Sequence, residues 1–302
     1  MELLKALEDI RSPFLDTVME TITRLGEETI AIVIICVIFW CISKKFAVIV
    51  AVVFFFSSLA VQSLKMIFRI DRPWVIDTNL SPIPAAMEAA TGYSFPSGHT
   101  QTAAAIYGAI GAQLKKKPLM MLFFAIALLV AFSRLYLGVH TLQDVIASLV
   151  ITSVIILVVC RILKSEDIYE ARFFHIAYAL AIAAIAVLIL AIYFMGSEIV
   201  ETAKGAGSIQ IVGAAIGFAA GIFIEKKFIN FSVKSSNIAV HAVKCILGIA
   251  GVIAFREVLI WNFEPGLITD GIVNAVLMLW ITVIYPIFIK KFFVKKEATP
   301  AS

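Results

Sequence analysis

A short polar stretch between two apolar runs, Ser133–Asp144, contains side chains that could carry out nucleophilic chemistry. His140 and Asp144 are four residues apart, so they share one face if the chain is helical from Thr141 onward. A carboxylate in this position can hold one imidazole nitrogen and leave the other free to attack a substrate or to accept a proton. Arg134 adds a planar set of donors that suits phosphate oxygens. The stretch therefore indicates phosphate chemistry based on histidine.

Two further polar segments stand at the ends of apolar runs. Lys65–Pro73 carries Lys65, Arg69 and Arg72, which the spacing places on one helical stripe. Pro96–His99 reads Pro-Ser-Gly-His and precedes another apolar run. Charged side chains at membrane boundaries cost free energy. Their presence at three such boundaries therefore predicts that these segments form a functional site.

Along the chain the three segments read Lys-x6-Arg-Pro, then Pro-Ser-Gly-His, then Ser-Arg-x5-His-x3-Asp. This pattern resembles the type 2 phosphatidic acid phosphatase superfamily, whose three motifs have the same form and order. Every motif position is matched across Lys65–Asp144. The resemblance implies that His140 attacks phosphorus to form a phosphohistidine, Asp144 orients His140, and His99 protonates the departing oxygen before water cleaves the intermediate. It also implies a set of phosphate-binding residues: Lys65, Arg72, Ser97, Gly98 and Arg134.

The chemistry of these residues agrees with the implied roles without fixing all of them. Ser97 is predicted to cap a helix whose first N–H groups form an anion site, and Gly98 allows close approach of the backbone. The residues alone leave open which of His99 and His140 is the nucleophile. Cations occupy the place that a metal would take, so neither a metal nor another cofactor is expected.

The composition predicts an integral membrane protein. Hydrophobic residues make up 61% of the 302 residues and charged residues only 15%, whereas soluble domains are less apolar and more charged. The formal net charge of +4 is mild, and no nucleic-acid partner is expected. The partners expected are membrane lipids and a phosphorylated lipid or small phosphate ester as substrate.

Nine apolar runs predict an all-α, polytopic bundle of about nine transmembrane helices. They cover residues 29–42, 46–68, 97–114, 119–137, 142–163, 174–195, 208–224, 238–261 and 271–289. The predicted organisation is an amphipathic interfacial segment (1–28), a six-helix phosphatase core (29–195), three additional transmembrane helices (196–296) and a disordered tail (297–302).

The distribution of basic residues predicts the orientation. Most of the 25 Lys and Arg residues fall on alternate connections, which the positive-inside rule assigns to the cytoplasm. The N-terminus and all three motifs would then lie outside, and the C-terminus in the cytoplasm. We expect a multi-pass protein of a bacterial plasma membrane.

Several alternatives remain open at this stage. The preferred function is hydrolysis of a lipid phosphate or diphosphate, such as phosphatidic acid, phosphatidylglycerophosphate or a polyprenyl diphosphate. Nine helices and Arg72–Trp74, which reads Arg-Pro-aromatic, are also similar to glucose-6-phosphatase, so a soluble ester such as a sugar phosphate is the runner-up. A transporter or binding protein with a vestigial site is a third reading, but transporters usually show repeats and broken helices at mid-membrane.

Three features outside the motifs have two readings each. The long loop Trp74–Phe95 is either functional or disordered; we favour a lid or a substrate-selecting rim, with a short surface helix in its middle. Glycines at four-residue spacing, Gly213 to Gly221, predict close helix packing within the chain or a homodimer face. Arg256 and Glu257 either line a cavity or form a structural ion pair.

Overall fold

The computed structural model describes residues 1–234 and 237–293, so the predicted disordered tail at 297–302 lies outside the described residues. Within these ranges the regular structure is entirely helical. Three π-helical turns directly follow α-helices, at Ala104–Gly108, Glu225–Ile229 and Trp280–Ile284. The α-helices are α1 (Glu2–Asp9), α2 (Pro13–Arg24), α3 (Glu28–Cys41), α4 (Lys44–Phe68), α5 (Pro73–Ile76), α6 (Pro84–Glu88), α7 (Gly98–Ala103), α8 (Ala109–Gln113), α9 (Lys117–Tyr136), α10 (Leu142–Ile162), α11 (Glu166–Gly196), α12 (Thr202–Ile224), α13 (Ile238–Asn262), α14 (Leu267–Leu279) and α15 (Tyr285–Phe292).

All nine predicted apolar runs fall on helices, and the polytopic all-α bundle is confirmed. In the described part of the chain, seven helices are long and apolar enough to cross a membrane: α4, α9, α10, α11, α12, α13 and the continuous α14–α15. The other two are α3 and the continuous α7–α8, which rise only about 21–24 Å, less than the ~30 Å of a bilayer core. Nine predicted spans are therefore seven helices of spanning length and two shorter ones.

Helix α4 lies at the centre of the bundle. It packs against α3, α10, α11 and α12, and its aromatic side chains Phe54 and Phe55 are fully buried. Ser43 begins the helix by accepting a hydrogen bond from the Phe46 backbone N–H, which satisfies one of the free donors of the first turn. A central α4 places its last turn, with Lys65, inside the protein.

The glycines of α12 are used within the chain. A Cβ at Gly213 would stand 1.9 Å from the Gly271 carbonyl oxygen, and one at Gly217 would stand 2.2 Å from that of Ala275. Such distances leave no room for any side chain, so α12 and α14 are in backbone contact. The structure therefore supports the interpretation that this glycine face packs against a helix of the same chain. A homodimer contact is not needed to explain these glycines.

The N-terminal segment forms two short helices, α1 and α2, divided by Pro13 as its position predicts. On α1, Leu4 and Leu7 are buried against the protein itself, in a small cluster that includes Leu80 and Leu135. Other apolar side chains of the segment stay exposed, among them Phe14. Part of the amphipathic face thus meets protein, and membrane contact stays a prediction for the exposed part.

One expectation about the first motif is wrong. Lys65, Arg69 and Arg72 do not share a helical stripe, because α4 ends at Phe68 and Arg69 takes a left-handed conformation with φ 50°. The chain then turns, and Arg72 precedes the short helix α5. Arg69 lies over the Phe194 ring with its guanidinium carbon 5.9 Å from the ring centroid. The motif therefore supplies two cations, Lys65 and Arg72, to the interior.

Candidate active site

The three motif segments meet at one end of the bundle. Lys65 stands in the last turn of α4, Ser97 caps the start of α7, and Thr141 caps the start of α10. A backbone hydrogen bond of 3.2 Å from the Ser97 N–H to the Asp144 carbonyl joins the second segment to the third. The Ser148 hydroxyl donates to the Ser97 carbonyl at 2.8 Å and strengthens this junction.

His140 and Asp144 form the pair that their spacing predicts. His140 Nδ1 lies 3.3 Å from Asp144 Oδ2, and both side chains are buried. The first turn of α10 is a capping box, in which the Thr141 backbone N–H donates to the same Asp144 oxygen at 2.8 Å. The carboxylate is therefore held by the helix start, and it fixes the imidazole in turn.

The hydrogen bonds around His140 determine its tautomer. Arg72 Nη1 lies 2.9 Å from His140 Nε2, and a guanidinium can only donate. Nε2 is therefore the accepting nitrogen and Nδ1 carries the proton toward Asp144. Burial, followed by the nearby cations led by Arg72, holds the pKa of His140 well below its usual value of 6.5. The result is a neutral imidazole with its lone pair on Nε2, which is the form a nucleophile requires.

The cations Lys65 and Arg72 hold the loop between the first two motifs in place. Lys65 Nζ donates to the Tyr93 carbonyl at 2.7 Å. Arg72 donates through Nε to the Gly92 carbonyl at 3.0 Å and through Nη2 to the Thr91 carbonyl at 2.7 Å. Farther back in this loop, the predicted short helix is present as α6, with Ala86 buried. The loop is thus bound down on the site along its final residues.

Arg134 has donor nitrogens that no described residue satisfies. Its side chain is 1% exposed, and its Nη1 donates to Thr23 Oγ1 of α2 at 2.6 Å. Its Nε and Nη2 are buried and have no hydrogen-bond partner among the described residues. A buried guanidinium with unused donors is costly unless an acceptor completes it. Its two donor nitrogens, Nε and Nη2, lie on one edge of the guanidinium and can bind two phosphate oxygens side by side.

The second motif has the helix start that the sequence predicts. Ser97 Oγ accepts a hydrogen bond from the Thr100 N–H at 3.5 Å. A Cβ placed on Gly98 would meet no atom within 4 Å, so the space beside this backbone is open. His99 is half-buried, and the three cations Lys65, Arg72 and Arg134 all act on its ring electrostatically. The predicted site residues are therefore brought together, while their individual roles stay predictions.

Two polar side chains of this site were missed by sequence reasoning. Ser94 Oγ donates to Asp144 Oδ2 at 2.6 Å, and Thr23 accepts from Arg134. Both residues lie outside the motifs, and their partners are 50 and 111 residues away along the chain. Neither position carries a local signal that could have identified it.

Comparison with known proteins agrees with the geometry. The PAP2 superfamily profile matches residues 46–167, which contain all three motifs. A second profile, described as "PAP2 superfamily phosphatase, transmembrane extension", matches residues 209–297 and so accounts for the additional helices. Phosphatidylglycerophosphatase B of Bacillus subtilis (strain 168) is 30% identical over 159 residues, which are 47% of this chain and 72% of that protein.

No solved structure matches the chain. The superfamily profile and the relative agree with the helical bundle and with the phosphate-binding chemistry of its buried end. We conclude that the chain belongs to the PAP2 superfamily and is a multi-pass membrane phosphatase that hydrolyses phosphoric esters.

Proposed function

We propose that the protein hydrolyses a lipid phosphate or diphosphate through a phosphohistidine on His140. The observation that carries this proposal is the state of the two key side chains. His140 presents the lone pair of Nε2 because Nδ1 is committed to Asp144, and Arg134 presents two buried donors without a partner among the described residues. Both features fit a site that binds a phosphate ester beside a nucleophilic histidine.

The contact between Arg72 and His140 suggests how the reaction begins. Arg72 Nη1 donates to the lone pair that must attack phosphorus. A phosphate oxygen is a better acceptor than a neutral imidazole, because the hydrogen bond is then charge-assisted at both ends. Substrate binding would therefore move the Arg72 donor from Nε2 to the phosphate and release the nucleophile in the same step.

The chemical steps follow from this arrangement. His140 Nε2 forms a bond to phosphorus while the bond from phosphorus to the leaving oxygen breaks, and His99 supplies the proton that this oxygen takes. The positive charge that develops on His140 is balanced by Asp144 through Nδ1. Water then attacks the phosphohistidine, His99 takes its proton, and inorganic phosphate leaves. Lys65, Arg72 and Arg134 stabilise the charge on the phosphoryl oxygens in both steps.

The substrate class is inferred from membrane setting and relationship together. The named activity of the Bacillus relative concerns phosphatidylglycerophosphate, which makes this lipid the first candidate, ahead of phosphatidic acid and polyprenyl diphosphates. The distribution of Lys and Arg favours an orientation with the site and the N-terminus at the non-cytoplasmic face and the C-terminus in the cytoplasm. The reaction would then take place on lipids of the outer leaflet.

Phosphate release from a substrate panel tests the proposal. Purified protein would be given phosphatidylglycerophosphate, phosphatidic acid, a polyprenyl diphosphate and glucose 6-phosphate, with His140→Ala as the blank and Arg69→Ala as a control outside the site. We expect the lipids to be hydrolysed at least tenfold faster per enzyme than the sugar phosphate, a difference of about 1.4 kcal/mol. Preference for glucose 6-phosphate would establish the soluble-ester alternative, and binding of the panel without any release would favour a vestigial site.

A further inference from the structure

A cavity of about 680 Å³ lies away from the phosphatase motifs, between α3, α13 and α14. None of the motif residues lines it. Two of its three walls, α13 and α14, belong to the region that the transmembrane-extension profile matches. Helix α13 is the least buried of the helices that are long and apolar enough to span a membrane, and its cavity-lining side chain Ile253 is 58% exposed. The volume of the cavity is in the range of small-molecule and lipid sites.

The cavity is polar at one end and apolar at the other. Its wall on α3 runs from Glu28 to Cys36, about 12 Å at 1.5 Å per residue. On α14 it runs from Thr269 and Asp270 to Met278, and Ile281 follows at the same apolar end. Such a gradient fits a lipid whose head group lies at the level of Glu28 and Asp270 and whose chain extends toward Cys36.

The polar end of the cavity adjoins the active site. Gly26 precedes Glu28 by two residues and touches the second motif so closely that a Cβ there would stand 2.7 Å from the His99 carbonyl oxygen. Only the first turn of α3 therefore separates the head-group end of the cavity from the phosphate site.

The charges at this end disfavour a phosphate monoester. Asp270 and Glu257 supply two carboxylates, and Arg256 supplies one cation that pairs with Glu257 at 3.3 Å. Asp270 is half-buried, lines the cavity and accepts a hydrogen bond from the Gln210 amide at 3.2 Å. A carboxylate can accept further hydrogen bonds. Carboxylates repel the roughly two negative charges of a phosphate monoester but accept hydrogen bonds from hydroxyl groups.

We propose that this cavity is a second lipid site that binds a lipid with a free hydroxyl in its head group, and so takes the dephosphorylated product. The inference rests on the proposed function, because removal of phosphate by water replaces the phosphoryl group of the substrate by a hydroxyl group. The substrate then carries a phosphoryl group that the carboxylates repel, and the product carries a hydroxyl group that can donate a hydrogen bond to them. A product that moves from the cationic site to the acidic cavity leaves the phosphate site free for the next substrate.

Photo-crosslinking tests the inference without the need for turnover. The probes are phosphatidylglycerol and phosphatidylglycerophosphate, each with a diazirine in one acyl chain, bound to full-length His140→Ala protein in nanodiscs. We expect the hydroxyl lipid to label α13 and α14 roughly tenfold more than the phosphate lipid, the difference that one charge-assisted hydrogen bond gives. Asp270→Asn should remove most of this preference.

Two tryptophan variants on α13 provide the steric control. Ile253 lines the cavity and is 58% exposed, while Ile246 is 66% exposed on the same helix and does not line it. Ile253→Trp should abolish labelling of the cavity walls, and Ile246→Trp should leave it unchanged. Equal labelling by both lipids, or labelling that survives Ile253→Trp, would overturn the inference.

The outcomes for the two proposals are separable. Wild-type protein that releases phosphate from lipids, together with no preferential labelling of the cavity, would overturn the product site alone. Preferential labelling by phosphatidylglycerol in His140→Ala protein, together with no lipid phosphatase activity of the wild type, would support a hydroxyl-lipid site and overturn the proposed function.

Discussion

Replacement of Thr23 by valine probes whether the N-terminal segment is part of the phosphate site. Thr23 lies on α2, ahead of the region that the superfamily profile matches. Its hydroxyl accepts a 2.6 Å hydrogen bond from Arg134 Nη1, and both side chains are buried. Valine has nearly the same volume as threonine, so the substitution removes this hydrogen bond with little change in packing.

The expected effect follows from the state of the Arg134 guanidinium. Its Nε and Nη2 already lack partners among the described residues. Thr23→Val would leave Nη1 without its partner as well, and the guanidinium group would no longer be held in one orientation. A hydrogen bond to a charged group contributes about 1.5–3 kcal/mol. We therefore expect kcat/KM to fall about 10- to 100-fold, with weaker inhibition by inorganic phosphate, because both depend on the same aligned donors.

The assay is hydrolysis of p-nitrophenyl phosphate, with phosphate as competitive inhibitor and a thermal unfolding scan of each variant. Thr23→Ser keeps the hydroxyl and should retain most of the activity. Thr21→Val is the matched control, since Thr21 is exposed on the same helix and its hydroxyl donates to the Thr17 carbonyl, one turn earlier in that helix. Activity of Thr23→Val within about twofold of wild type, or equal loss in Thr21→Val, would refute the role assigned to Thr23.

Four further outcomes are expected. His140→Ala should abolish the acid-labile phosphoenzyme, whereas His99→Ala should still form it. The His99→Ala variant should lose less activity on p-nitrophenyl phosphate than on an alkyl phosphate, because a good leaving group needs little protonation. Equal losses on both substrates would contradict the role of His99 as the acid. Ser94→Ala removes one of the hydrogen bonds to the carboxylate beside His140 and should lower kcat about 5- to 30-fold with little change in KM; a change in KM alone would argue for a role in substrate binding. Phosphate release should persist in EDTA, since the described residues contain no group of three metal-ligating side chains; loss on chelation with recovery in Mg²⁺ would contradict the cofactor-free mechanism. In intact cells Asn79→Cys should react with an impermeant thiol reagent and Lys116→Cys should not, and the reverse labelling would invert the orientation.

The parts of the site that the sequence predicted are those encoded by short spacing. His140 and Asp144 are one helical turn apart, so the contact between them needs only a helix that starts at Thr141. Ser97 as a helix cap depends on the adjacent proline and glycine in the same way. The predicted helical stripe through Arg69 is wrong because α4 ends at Phe68. Helical spacing places residues on one face only while the helix continues.

The resting contacts of the cations could not be predicted in this way. Arg72 is bound by the carbonyls of Thr91 and Gly92 and by Val139. These partners are backbone carbonyl oxygens, which every residue type has, so the residue types do not identify them. That Arg134 rather than Arg72 keeps free donors within the described part of the chain is therefore a property of the folded loop, although both arginines occupy motif positions.

The N-terminal segment shows the limit of reasoning from amphipathicity. Its periodic leucines predict a helix with one apolar face, but the periodicity does not say whether that face meets lipid or protein. Leu4 and Leu7 meet protein, and on the next helix Thr23 then reaches Arg134. A segment that the pattern assigns to the membrane surface thus contacts the candidate active site, where Thr23 accepts a hydrogen bond from the buried Arg134.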